Sequence, residues 1–181
     1  MIFLLSACFV GFVFLLPYGL LLANPFPKPS GHWKVGTSEL TWHSPNYAGI
    51  IAKVWYPSST EQESHSPYID HLDRTLSAVT KGLNPVSKLL LNRFYFGRIQ
   101  TPSLSNVALA LGQDSFPVVL LSPGLAGVNF LYTFYALELA SHGFIVIGIN
   151  HPEWSSGTLL VDGSQVGLNQ PDFTDADRAD A

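Results

Sequence analysis

The alternation of apolar and polar positions changes character several times along the chain. From Met1 to Ala23 the sequence is apolar and carries no charged side chain. Roughly 20 apolar residues suffice to cross a hydrocarbon core, so this stretch predicts a membrane anchor, with a cleaved secretory signal as the alternative. An anchor of this kind should keep the protein in the membrane fraction through a carbonate wash; a signal would release a secreted or periplasmic form. Asn24 to Gly31, N-P-F-P-K-P-S-G, is a proline-rich linker that favours extended chain. Trp33 to Trp42 is β-prone but interrupted by Gly36, and Ile50 to Tyr56 is a stronger apolar run. The turn-forming S-P-N-Y-A-G between them predicts an antiparallel hairpin. Thr60 to Ser66 is polar and expected at the surface. Leu72 to Val79 and Pro85 to Phe96 have helical spacing, Pro85 fitting a first turn, and read as a helical insertion. Pro102 to Asp114 has no regular period.

Beyond Pro117 the period shortens. Pro117 to Leu121 and Ile145 to Ile149 are wholly apolar, the pattern of strands covered on both faces. Between them Asn129 to Ser141 reads as an apolar helix, closed by His142-Gly143. Strand, turn, helix and strand make a right-handed βαβ unit with parallel strands. A hairpin about Asp162-Gly163 is expected across Thr158 to Val166, and Asp172 or Thr174 would cap a helix starting near the C-terminus. The fold class is therefore α/β, an antiparallel entry hairpin followed by a parallel βαβ unit. Residues 1–23 and 24–31 precede one partial domain over 32–181.

Composition narrows the functions. Charged residues make up 12% of the chain, the formal net charge is −4, and no Lys/Arg cluster occurs. That excludes the electrostatic footprint of a nucleic-acid binder. One cysteine, Cys8, excludes an internal disulfide and a cysteine-rich zinc site, and His32, His43, His65 and His71 lack metal-ligand spacing. The βαβ unit raises nucleotide binding. However, Gly124-Leu125-Ala126-Gly127 is not G-x-G-x-x-G, and Asn150-His151 stands where an acidic residue should close the second strand. Neither a metal nor a cofactor is expected.

The small-residue turn after Leu121 has another use. In α/β-hydrolases one oxyanion-hole N–H comes from the loop that opens the first parallel crossover, where a side chain would keep the substrate carbonyl away. S-F-P-V-V-L-L-S-P-G-L-A-G and Y-A-L-E-L-A-S-H-G-F-I-V-I-G-I-N-H-P resemble the plasma-type platelet-activating factor acetylhydrolases and their bacterial relatives. Upstream, P-F-P-K-P-S-G-H-W-K-V-G-T-S-E-L and A-K-V-W-Y-P-S extend the resemblance from Pro25 to the C-terminus.

The resemblance implies the N-terminal half of an α/β-hydrolase sheet and serine-dependent hydrolysis of a lipid ester, a short or oxidised acyl chain on a phospholipid. It makes the Leu125 N–H one oxyanion donor, with Gly124 beside it, and puts His151 near the site without making it the triad base. Two departures stand out. Pro123-Gly124 occupies the place of the family's His-Gly, and no serine has glycine at both −2 and +2. The Ser-Asp-His triad is accordingly expected beyond Ala181, and the chain is expected to be inactive alone and aggregation-prone at its open sheet edge. The alternative class is a membrane-tethered, non-catalytic interaction module. Phe130, Tyr132, Phe134 and Tyr135 fit either the packing of a buried helix or the lining of a lipid entrance. No residue pattern specifies an oligomeric state.

Overall fold

The computed structural model describes residues 26–60, 65–80, 83–91, 95–111 and 115–169. The apolar segment Met1 to Ala23 and the helix start at Asp172 or Thr174 lie outside them. Among the described residues no helix is long and apolar enough to cross a membrane.

Strands β1 (Lys34–Ser44) and β2 (Tyr47–Ser58) form the expected antiparallel hairpin. Gly36 does not interrupt it. Gly36 lies in register with Tyr56, and a Cβ at that position would stand 2.4 Å from the Tyr56 ring. The strand passes under the ring only because the residue has no side chain. Ser66, expected at the surface, is instead fully buried in β3 (Ser66–Pro67), which pairs with β4 (Gln100–Thr101). The segment without a period also contains a strand, β5 (Ser103–Ser105), parallel to β1. Three residues of Ser-Leu-Ser are too few to carry a recognisable alternation.

Strands β6 (Val118–Leu121) and β7 (Ile145–Gly148) are parallel, as predicted, and β7 also lies antiparallel to β2. Among the described residues the sheet order is β5-β1-β2-β7-β6. β8 (Thr158–Leu159) and β9 (Gln165–Val166) close the predicted hairpin, with Gly163 at φ +93° in its turn.

Helix α1 (Leu72–Val79) has the predicted limits. The second helix is shorter than its spacing suggested: α2 covers Pro85–Leu90, capped by the Asn84 side chain accepting from Ser87 N–H, and a 3-10 turn covers Phe96–Arg98. A 3-10 turn also begins the crossover at Asn129–Tyr132, before α3 (Thr133–Ser141). The Thr133 hydroxyl donates to the Phe130 carbonyl at the junction. Gly143, at φ +94°, ends the helix as its position predicted.

The main core lies between α3 and one face of the sheet, where Ala136, Leu137 and Ala140 meet Val35, Trp55 and Val146. Ala136 and Ala140 let the helix axis approach the Trp55 ring closely. Two sequence expectations fail here. Phe134 and Tyr135 are 45% and 63% exposed, so they do not pack the core. β6 is not covered on both faces either, since α3 lies over β1, β2 and β7. Val118 and Leu120, on the opposite face, are 57% and 60% exposed. The physical reason is the same for both: α3 is apolar nearly all round, but only one stripe of it and one face of β6 find a partner among the described residues.

The linker is tied to the far end of α3. Gly31 N–H donates to Ser141 Oγ, Trp33 N–H to the Ser141 carbonyl, and Ser30 gives both its N–H and its hydroxyl to the Glu138 carboxylate. The Ser30 hydroxyl bond and then its N–H bond hold the Glu138 carboxyl below its usual range; burial opposes them, and His142 adds smaller lowering effects. A carboxylate held this way contributes stability above its unfolded pKa, and the contribution fades as pH falls through the lower folded value. Amide exchange at Ser30 and Gly31 should therefore accelerate on acidification below the ordinary carboxylate range. In Glu138→Gln that acid dependence should vanish; exchange that is pH-independent after correction for intrinsic chemistry would refute the tie.

Candidate functional site

Parallel strands present ligand sites beyond their carboxyl ends. At that edge of β6 the chain turns through Ser122, Pro123, Gly124, Leu125, Ala126 and Gly127. Gly127 N–H closes the turn onto the Gly124 carbonyl at 2.8 Å, and a Cβ on Gly127 would meet that same oxygen at 2.8 Å. Gly124 is different: nothing lies within 4 Å of a Cβ added there. One glycine is demanded by the turn itself and the other opens it to solvent.

Ala126 sits at φ +59°, a left-handed conformation that costs a non-glycine residue of order 1–3 kcal/mol. It is held there from both sides by the loop after β7. Its N–H donates to the Trp154 carbonyl at 2.8 Å, and its carbonyl accepts from Ser156 Oγ at 2.6 Å. A third tie joins the strand ends, Ser122 Oγ lying 2.7 Å from His151 Nε2. The loop is braced in turn by His151 N–H donating to Ser155 Oγ and Ser155 N–H to the His151 carbonyl. With both polar groups of Ala126 engaged, the turn N–H groups without an acceptor among the described residues are those of Ser122, Gly124 and Leu125. Among the described residues the Leu125 N–H meets no acceptor, and Leu125 is 55% exposed.

His151, a predicted near-site residue, thus reaches the turn that carries Gly124 and Leu125, through Ser122. Ser122, Trp154 and Ser156 were missed by sequence reasoning. Ser122 was recoverable, because Leu121 pairs with Gly148, which brings the residues just past the two strand ends to the same edge. Ser156 was not, since its role depends on how the loop folds back. Asn150 is buried and structural. Its Oδ1 accepts from Asn129 N–H at 2.7 Å and its Nδ2 donates to the Gly157 carbonyl at 2.9 Å, fixing the start of the crossover to the end of β7.

An open cleft lies at the β2 side of this edge, bordered by Glu39, Lys53, Asp70, His71, Asn129 and Asn150 among others. No residue from Ser122 to Gly127 lines it. Its charges are internally matched: Lys53 Nζ is 2.6 Å from Asp70 Oδ2, and His71 Nε2 is 2.7 Å from Glu39 Oε1. Lys53 is nearly buried and lies 5.5 Å from the centroid of the Trp55 ring. Burial pushes the Tyr68 phenol up, so it stays a hydrogen-bond donor beside the cleft. Among the described residues no His/Cys/Asp/Glu group is arranged to hold a metal ion.

The chain is similar to several known proteins. Residues 20–170 match the family described as platelet-activating factor acetylhydrolase, isoform II. The platelet-activating factor acetylhydrolase of Canis lupus familiaris is 31% identical over 133 residues, which are 72% of this chain and 29% of the canine protein. That of Bos taurus is 29% identical over 138 residues, covering 75% of this chain and 30% of the bovine protein. Among solved structures, a ferulic acid esterase from Streptomyces cinnamoneus superposes with a TM-score of 0.58 at 20% identity, over 78% of this chain and 40% of the esterase chain. The fold is that of an α/β-hydrolase. The chain spans about three-tenths of the length of the canine and bovine relatives.

Proposed function

The chain belongs to the platelet-activating factor acetylhydrolase isoform II family, and from that premise we propose that it serves serine-dependent hydrolysis of carboxylic esters. The substrate class is a lipid ester with a short acyl chain, and the chain's share of the work is the entry sheet and one wall of the oxyanion hole. The single observation that carries this reading is the Leu125 N–H. It stands without an acceptor among the described residues, on an exposed turn at the carboxyl edge of the parallel strands, while the residue after it is bonded through both its polar groups.

A preorganised N–H is worth most when it need not move as charge develops on the carbonyl oxygen. Here the ordering cost is met by the loop after β7, through Trp154 and Ser156. Proline at 123 removes an N–H but leaves that of Leu125 in place. An oxyanion hole stabilises an intermediate only if a nucleophile forms one. No serine of the 181 has glycine at both −2 and +2, so we place the triad outside these residues.

The test is a chimera in which residues 26–169 replace the matched segment of the canine relative. It should release acetate from an acetylated phospholipid, whereas the 181-residue chain alone should release none. A correctly folded chimera without esterase activity, or turnover by the chain alone, would overturn the reading.

A further inference from the structure

Ala126 is not the only strained residue at the turn. Four non-glycine residues among those described have positive φ, and two of them, Ala126 and Glu153, are joined through a single residue, Trp154. Glu153 stands at φ +69°, a region that a non-glycine residue seldom occupies unless its surroundings hold it there. Its successor Trp154 supplies the carbonyl that accepts the Ala126 N–H, and Ser155 forms a parallel bridge with Ala126.

Residues 151–155 make a turn closed by the Ser155 N–H on the His151 carbonyl at 2.8 Å, with the Trp154 N–H on the same carbonyl at 3.2 Å. Pro152 fixes one φ angle of this turn, and Ser155 at its end is buried. The direction of the Trp154 carbonyl then depends on the backbone torsions of Glu153.

Glu153 is held from outside the turn at two points. Its carbonyl accepts from Asn169 N–H at 2.8 Å, and its carboxylate Oε1 accepts from the Tyr47 hydroxyl at 3.1 Å. Tyr47 is a fixed post. It begins β2 opposite Ser44, and two residues on the Gly49 carbonyl accepts from Val161 N–H, while Ile50 bridges to Leu160. Desolvation, then the bond to Glu153 and its charge, push the Tyr47 phenol upward, so it stays a donor at neutral pH. The entry hairpin thus reaches across 106 residues to the loop that orders Ala126.

We propose that Glu153 is a positioning residue for the turn from Ser122 to Gly127: gripped by the Tyr47 hydroxyl, it aims the Trp154 carbonyl at Ala126 and so presents the Leu125 N–H. The consequence for Leu125 rests on its proposed place in the oxyanion hole; the grip on Ala126 does not. A bond between two surface side chains contributes little to global stability, so its loss should register in the turn and not in the core.

Two measurements test this separately. In the full 181-residue chain, kept in mild non-ionic detergent, Tyr47→Phe and Glu153→Ala should each speed amide exchange at Ala126 by about three- to tenfold, the effect of one hydrogen bond, and leave buried Val146 unchanged. Glu153→Gln keeps an acceptor for the hydroxyl and should restore the slow exchange. In the chimera carrying residues 26–169, Tyr47→Phe and Glu153→Ala should lower kcat by a similar factor with KM unchanged. The double variant should be no worse than either single one, and Glu153→Gln should rescue turnover. Unchanged exchange at Ala126 would overturn the proposal, as would equal acceleration at Val146. So would unaffected turnover in an active chimera, a loss confined to KM, or a Glu153→Gln variant as impaired as Glu153→Ala. Faster exchange at Ala126 beside an inactive parent chimera would uphold the grip on the turn and refute the role of Leu125 instead, so the two failures are told apart.

Discussion

In the active chimera, Leu125→Pro should lower kcat by about 10²–10³, the usual effect of removing one oxyanion donor, about 2.7–4 kcal/mol of transition-state stabilisation. The direction of the split matters as much as its size. An N–H that bonds only the developing oxyanion should take kcat and kcat/KM down together and leave KM nearly unchanged. Proline also imposes its ring on the turn, so an amide-to-ester replacement at position 125 serves as the conservative partner, deleting the N–H and little else. Both variants should keep the parent's circular dichroism. Unchanged turnover in the ester variant would remove Leu125 from the oxyanion hole, and a rise confined to KM would make it a ground-state contact.

Asp70→Ala should destabilise the fold by about 3 kcal/mol, whereas Lys53→Met should stay within about 1 kcal/mol of the wild type. The asymmetry follows from burial. The Lys53 side chain is 7% exposed and that of Asp70 32%, so deleting the carboxylate strands a nearly buried ammonium, while deleting the ammonium leaves a carboxylate that water still reaches. The lower end of the range for broken buried pairs applies because Asp70 is partly hydrated. Methionine fills most of the lysine volume and retains the packing on Trp55. In a protein of this size, 3 kcal/mol corresponds to a fall in Tm of roughly 6–12 °C. Equal losses for both substitutions would mean that the pair contributes through attraction rather than through avoided desolvation.

Much of the site was legible because its parts are local. The small-residue turn of Ser122 to Gly127, the parallel strands around it and the helix end at Gly143 are each determined by steric rules acting over a few residues. Residue type picked out the turn, and the family resemblance singled out Gly124 and Leu125 within it as the candidate oxyanion residues. His151 was placed near the site by the end of its strand, and the structure bonds it to Ser122 at 2.7 Å. The braces on Ala126 were not legible. Trp154 and Ser156 act through a backbone carbonyl and a hydroxyl, groups that every loop offers, and only the fold-back after β7 brings them within reach.

The sequence by itself determined the hairpin, the parallel pairing of β6 with β7 and the helix between them, since periodicity and turn chemistry are written in neighbouring residues. Tertiary structure alone decided that Gly36 lies under the Tyr56 ring, that Ser66 is buried against β5, and that Lys53 takes Asp70 as its partner. It also decided that Val118 and Leu120 stay uncovered among the described residues. These are contacts between segments distant in the chain. An apolar strand reads the same whether one face or both will be covered, because coverage depends on which elements arrive beside it and not on the strand's own residues.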